Sequence, residues 1–265
     1  MKAIDQLVAI MASLRDPKAG CPWDLRQDLN SLAPYTIEEA YEVIDAIERN
    51  DLQDLREELG DLLLQVVFQS QITKEAGVFD FEDVVDGISQ KLVSRHPHVF
   101  SGTQFETDAD RQAFWEDAKK VEKAKKGKET ANDSLLGEIP TSLPGLMTAQ
   151  KLQARAARHG FDWPNIEAVF SKLEEEIMEL KEAISLGDSK HQFEELGDVM
   201  FVLANIARHL DMDAETSLRA CNQKFIRRFS YIEDRVAESG QTMSEYSLEA
   251  LDRWWVEAKN LEKVN

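Results

Sequence analysis

The residues best equipped for chemistry in this sequence are acids at fixed spacing. Glu175, Glu176 and Glu179 stand in one run, and Glu195 and Asp198 stand in a second, Glu194-Glu195-Leu196-Gly197-Asp198. At about 100° per helical residue, Glu179 lies about 40° and Glu176 about 100° from Glu175, so all three share one arc. Glu195 and Asp198, three residues apart, also face one way. Two such helices side by side would bring their carboxylates together. Carboxylates held close raise one another's pKa until a cation neutralises them, and an oxygen-only set suits Mg²⁺, with Mn²⁺ as a substitute. Neither glutamate pair is followed three residues later by histidine, which argues against a Glu-x-x-His di-iron bundle.

The same pattern occurs earlier in the chain. Glu38-Glu39-Ala40-Tyr41-Glu42 precedes Glu175-Glu176-Ile177-Met178-Glu179 by 137 residues, and Glu57-Glu58-Leu59-Gly60-Asp61 precedes Glu194 to Asp198 by the same 137. Gly20-Cys21-Pro22-Trp23 is answered by Gly160-Phe161-Asp162-Trp163, and Trp115 and Lys119 by Trp255 and Lys259, at an offset of 140. A lone acidic run is most often a solvated helix face. Its repetition at identical internal spacing favours a functional reading. Gly60 and Gly197 lie between the two acids of each later motif. Glycine inside a helix costs roughly 1 kcal/mol relative to alanine, so close approach of a backbone or a ligand is expected there.

The elements that must position these acids read as helices. Leu59, Leu62, Leu63, Val66 and Val67 recur at helical spacing, and Leu196, Val199, Met200 and Leu203 repeat the stripe. Asn50-Asp51 and Gly187-Asp188 are turn signals between the two acidic helices of each copy, which are therefore expected to run antiparallel in a four-helix arrangement. With 43% apolar residues and only 12 Gly and 7 Pro in 265 residues, an all-α class is predicted, as a tandem repeat of two such units. The first spans 1–125 and the second 146–265. A linker at 126–145 overlaps the end of a lysine-rich stretch (Lys119, Lys120, Lys123, Lys125, Lys126, Lys128) and contains Pro140 and Pro144. The formal charge of −19, from 50 acids against 31 bases, disfavours binding to a nucleic acid polymer. Two cysteines and no signal-peptide core point to the cytoplasm, and no apolar run is long enough to span a membrane.

Magnesium held by carboxylates commonly keeps positions open for phosphate oxygens, which directs attention to cations. Lys172 precedes Glu176 by four residues, and Lys224 and Arg228 lie at i, i+4 with Arg227 beside them. Trp255 is a candidate to stack on a base, although a tryptophan at the end of an amphipathic helix is more often core. The first copy is poorer in cations. Tyr35 stands where the second copy has Lys172, and aligning Lys91 with Lys224 sets Ser94 against Arg227.

Together with Gly20-Cys21-Pro22-Trp23-Asp24, Arg95-His96-Pro97-His98-Val99-Phe100 and Lys224-Phe225-Ile226-Arg227-Arg228-Phe229, the doubled acidic motifs closely resemble the two-domain bacterial MazG nucleoside triphosphate pyrophosphohydrolases. The resemblance covers nearly the whole chain. It implies an all-α bundle, a homodimer, and Mg²⁺-dependent hydrolysis of NTPs and dNTPs to the monophosphate and pyrophosphate. It also implies that Glu176, Glu179, Glu195 and Asp198 hold the metal, with Glu39, Glu42, Glu58 and Asp61 as their first-copy counterparts. Glu175 is a candidate general base on the same arc. Lys172, Lys224, Arg227, Arg228 and Trp255 are the candidate nucleotide-binding residues. The better-equipped second copy is expected to carry the main activity, and the first to be weaker, regulatory or structural. Two alternatives stand beside the enzyme: a non-catalytic, metal-dependent nucleotide-binding regulator, and a helical interaction scaffold.

Overall fold

A computed structural model of the chain describes residues 2–107, 135–137 and 139–262, together with 110, 111, 114, 115, 117, 118 and 121. The lysine-rich stretch and residues 126–134 of the expected linker lie outside the described residues. All regular elements among the described residues are helical. The chain divides into two compact units, Met1–Glu129 and Thr130–Asn265.

The first unit contains α1 (Ala3–Leu14), α2 (Pro22–Arg26), α3 (Leu29–Glu48), α4 (Leu52–Glu75), α5 (Phe81–Arg95) and α6 (Pro97–Phe100). Its centre is the α3/α4 hairpin, against which α1 and α5 pack through α4. Met11, Leu32, Val67 and Phe68 form the buried core, with Leu7, Leu14, Leu64 and Ile72 around it. Arg15 fastens the unit from the end of α1. It donates to both oxygens of Glu75 at 2.7–3.0 Å, to the carbonyls of Asp24 and Gln27 at 2.5 and 3.2 Å, and lies 5.5 Å over the Phe68 ring.

The second unit contains α7 (Gly145–Ala157), α8 (Ile166–Leu186), α9 (Ser189–His209), α10 (Ala214–Ser239), a 3₁₀ turn at Met243–Glu245, and α11 (Leu248–Leu261). Here α8 and α9 form the hairpin, α7 packs on α9, and α11 lies along the long α10. The core beside α7 is built from small residues, Ala149, Ala204 and Ala214, with Leu146 and Ala207.

Both acidic hairpins turn sharply. Asn50 adopts a φ of 55° between α3 and α4, and Gly187 a φ of 70° between α8 and α9. Aspartate then starts the second helix each time: the Asp51 carboxylate accepts from the Gln53 and Asp54 amides, and the Asp188 carboxylate from those of Lys190 and His191. Each cap satisfies amides that the helix start leaves unpaired. Each also fixes the phase of the glutamate that follows seven residues later, Glu58 or Glu195.

The apolar stripes are not fully spent on the cores. Val67 is buried, but Leu59, Leu63 and Val66 are exposed, as are Leu196, Met200 and Leu203 on α9. On α9, Val202, Ala204 and Asn205 are the residues turned inward. The expected close approach at the helix glycines is absent within the described chain: a Cβ added at Gly60 or Gly197 would meet nothing within 4 Å. Both glycines sit on the same open faces as the exposed leucines.

Candidate functional site

In the second unit, Glu176 and Glu179 come from α8 and Glu195 from α9, and each offers a carboxylate oxygen within 4.8 Å of the others. The hairpin explains the meeting, since a two-residue turn forces α8 and α9 antiparallel and side by side. Glu176 is only 5% exposed. Burial and the neighbouring Glu176 raise the Glu179 carboxyl above the ordinary range. One oxygen of Glu195, Oε2, is buried with no hydrogen-bond partner in the protein, and its other oxygen, Oε1, lies 2.8 Å from His191 Nε2. A buried carboxylate oxygen left without a donor, inside an oxygen-only set, fits a divalent cation. Asp198, one turn beyond Glu195, is exposed and falls outside this close group.

The first unit gathers a related but different set. Glu39 from α3 and Glu58 and Asp61 from α4 place oxygens within 4.8 Å of one another. Here the later aspartate joins and the third glutamate, Glu42, does not. Burial, then the charge of Asp61 and the proximity of Glu42, push the Glu39 carboxyl up, and burial with the charges of Glu42, Asp54 and Asp61 does the same to Glu58. Gln65, 6% exposed, turns its Nε2 to Glu39 at 3.4 Å, while its Oε1 is buried without a partner. Its counterpart 137 residues on is Val202, which supplies no polar atom. Thus each copy brings together three of the four carboxylates implied by the resemblance.

The copies differ most in their cations. Lys172 Nζ lies 2.6 Å from Glu176 Oε1 and 2.7 Å from Glu175 Oε1, and these two partners, Glu175 foremost, raise its pKa. Glu175, the candidate base, is therefore engaged by the lysine while remaining exposed. In the first copy the corresponding Tyr35 is exposed and stands edge-on to Trp23, with ring centroids 6.1 Å apart.

The remaining candidates form a second group where α10 meets α11. The Arg228 guanidinium lies 5.5 Å over the Trp255 ring, whose other neighbour is Phe225 at 5.2 Å between centroids. Trp255 is accordingly half-buried rather than core. Arg228 Nη2 meets Glu262 Oε2 at 2.7 Å, and Arg227 meets Glu262 Oε1 at 3.7 Å. Arg228 in turn holds the Glu262 carboxyl below the usual range. Lys224 is exposed on the same helix.

Sequence reasoning missed three participants: His191, Gln65 and Glu262. His191 was detectable, because it precedes Glu195 by one helical step of four residues. Gln65 stands inside the apolar run Leu62 to Phe68, where spacing gives it no partner, and the reach of Glu262 back to Arg228 depends on how α11 folds over α10.

Comparison with known proteins agrees with this arrangement. The MazG nucleotide pyrophosphohydrolase domain matches twice, at residues 27–100 and 165–232, covering both acidic hairpins. The chain is 46% identical over 266 residues to the nucleoside triphosphate pyrophosphohydrolase of Escherichia coli K12, covering 99% of each chain. It is 43% identical over 257 residues to the nucleoside triphosphate pyrophosphohydrolase/pyrophosphatase MazG of Thermotoga maritima, covering 96% of this chain and 95% of that one. A shorter match, 38% identity over 158 residues, links it to the nucleoside triphosphate pyrophosphohydrolase of Mycobacterium tuberculosis. With two paired-carboxylate hairpins each inside a matched domain, the chain belongs to the MazG nucleotide pyrophosphohydrolase family and carries its domain twice.

Proposed function

We propose that this protein hydrolyses nucleoside and deoxynucleoside triphosphates to the monophosphate and pyrophosphate, chiefly in its second unit and with broad tolerance of the base. The observation that carries the reading is the buried Glu176 in a converging carboxylate group that also presents a lysine. The relatives named as nucleoside triphosphate pyrophosphohydrolases support it along the full chain.

Glu176, Glu179 and Glu195 would hold Mg²⁺, or Mn²⁺ in its place, with Asp198 turning in as the fourth carboxylate. When bound, the cation supplies a Lewis acid that polarises water and neutralises phosphate charge. Lys172 neutralises negative charge on the phosphates nearest the carboxylates. Lys224, Arg227 and Arg228 grip the outer phosphates, and Trp255 offers a stacking face to the base. Glu262 orients the Arg228 guanidinium across that ring. Water attacks the α-phosphorus, Glu175 takes its proton, and the bond from the α-phosphorus to the bridging oxygen breaks as pyrophosphate leaves.

The first unit, with Tyr35 in place of the lysine, is the weaker or regulatory copy. The active form is a homodimer, since the exposed leucines beside Gly60 and Gly197 offer an apolar face for a second copy, and the scarcity of cysteine suits the cytoplasm. The test is the product set from several NTPs with Mg²⁺. Monophosphate and pyrophosphate are expected, whereas orthophosphate and diphosphate as first products would overturn the reading.

A further inference from the structure

The two acidic groups share a ligand chemistry but not a charge. In the second copy an internal cation already sits against the carboxylates, with Lys172 Nζ 2.6 Å from the 5%-exposed Glu176. In the first copy Tyr35 fills that position, and the neighbour that donates to Glu39 is the neutral Gln65, through Nε2 at 3.4 Å. Gln65 is itself almost fully buried, with its Oε1 lacking a partner. It is thus a buried, incompletely paired amide that reaches one of three converging carboxylates, with no positive charge to offset them among the ion pairs of the described residues.

We infer that Lys172 holds the place of the divalent cation in the second copy, so that metal enters there together with a triphosphate, whereas the first copy takes a divalent cation without any nucleotide. The inference rests on the proposed function, because it assigns to the triphosphate the task of drawing Lys172 away. A metal ion bonded to Glu176 would stand within a few ångströms of the ammonium, and two cations at that distance repel. A triphosphate relieves the conflict by giving Lys172 a new anionic partner and the metal additional oxygens. Metal and nucleotide then favour each other's binding, and the coupling is reciprocal. The first copy has no such conflict. Its three converging carboxylates gain directly from the cation, and nothing has to leave.

The geometry therefore points to a division of labour in metal binding as well as turnover. The first unit senses the free divalent cation, and the second responds to the metal–nucleotide pair.

Mn²⁺ binding to the full chain, read from the loss of the free-ion electron paramagnetic resonance signal, tests this. It is run with and without a triphosphate whose α,β bridge is methylene. Nucleotide-free binding is expected to vanish with Asp61→Asn and to be unchanged by Glu176→Gln. The binding added by the analogue is expected to show the reverse pattern. Lys172→Met should bring nucleotide-free binding in the second copy into the measurable range by a gain in affinity of about tenfold or more, and Lys172→Arg should restore the wild-type pattern. Tyr35→Lys, at an exposed position that leaves the core intact, should weaken nucleotide-free binding in the first copy by about tenfold. A nucleotide-free titration unmoved by both Lys172→Met and Tyr35→Lys would overturn the inference, as would nucleotide-free binding lost equally with Asp61→Asn and Glu176→Gln. A parallel assay of pyrophosphate release separates the two claims. Wild-type release with unmoved Mn²⁺ titrations rejects this inference alone, whereas no release rejects the proposed function and leaves the nucleotide-free arm to stand or fall by itself.

Discussion

Changing Glu176 to Gln should separate stability from turnover. The amide keeps the volume and an acceptor for Lys172, and Lys172 retains Glu175 as a charged partner. What disappears is one negative charge in a site where Glu176 is 5% exposed and the neighbouring carboxylate oxygens lie within 4.8 Å. For the metal-free protein this is a relief. The Glu179 carboxyl is raised by burial and by Glu176, and an acid with a raised folded pKa is ionised at a cost once the pH exceeds that value. The variant should therefore unfold at the same temperature as the wild type, or slightly higher, in chelator at neutral pH. Turnover should move the other way. Two unit charges about 4 Å apart at an effective dielectric near 20 interact by about 4 kcal/mol. Each 1.36 kcal/mol is a factor of ten, so kcat/KM should fall by about a thousandfold. Glu39→Gln, the same change in the first copy, should spare at least about half of the activity. Continuous measurement of pyrophosphate release at several Mg²⁺ concentrations, with thermal melts alongside, reads both effects. A loss under about tenfold for Glu176→Gln, or equal losses for the two variants, would refute the reasoning.

Other outcomes are expected. Arg15→Met should destabilise the first unit by about 2 kcal/mol, since it strands Glu75 and two carbonyls but Glu75 is partly exposed. Because Arg15 depresses the Glu75 pKa, the stabilisation is present above the unfolded carboxylate value and is lost as pH falls through the folded one. Denaturant curves of wild type and Glu75→Gln should therefore differ at neutral pH and converge only as the pH falls below the ordinary carboxylate range. Light scattering at micromolar concentration should give a dimeric mass. Gly197→Ala, which meets nothing in its own chain, should weaken that dimer if the glycine face is the contact, and otherwise only strengthen the helix by roughly 1 kcal/mol. Across purine and pyrimidine triphosphates kcat/KM should vary by less than about a hundredfold, because Trp255 stacks without reading a base edge.

Much of this site was legible because its information is local. The spacing of Glu175, Glu176 and Glu179 is a statement about helical phase, and Asn50-Asp51 and Gly187-Asp188 announce both the turn and the cap that follow. From those alone the two hairpins and the meeting of carboxylates can be drawn. The contributions of Asp198 and Glu42 were harder to read, since which three of four oxygens converge depends on the crossing of two helices rather than on either one. Gln65 carried no signal, as its value lies in a contact across the hairpin with Glu39. What approaches the glycines was illegible for a related reason. A helix glycine reports that something comes near, and the single folded chain supplies no neighbour to Gly60 or Gly197.

The aspartate caps imply a rule about which length changes the family fold can accept. Asp51 and Asp188 anchor their helices seven residues, about two turns, before Glu58 and Glu195. One residue inserted between anchor and glutamate would rotate the carboxylate by about 100° around the helix and carry it off the cluster, however conservative the inserted side chain. The same insertion before the anchor, beside Asn50 or Gly187, would only lengthen an exposed turn, at a cost of tenths of a kcal/mol by the roughly logarithmic dependence of loop closure on length. Insertions and deletions among duplicated acidic hairpins of this kind should therefore gather on the turn side of the aspartate, and the interval from aspartate to glutamate should behave as a fixed ruler.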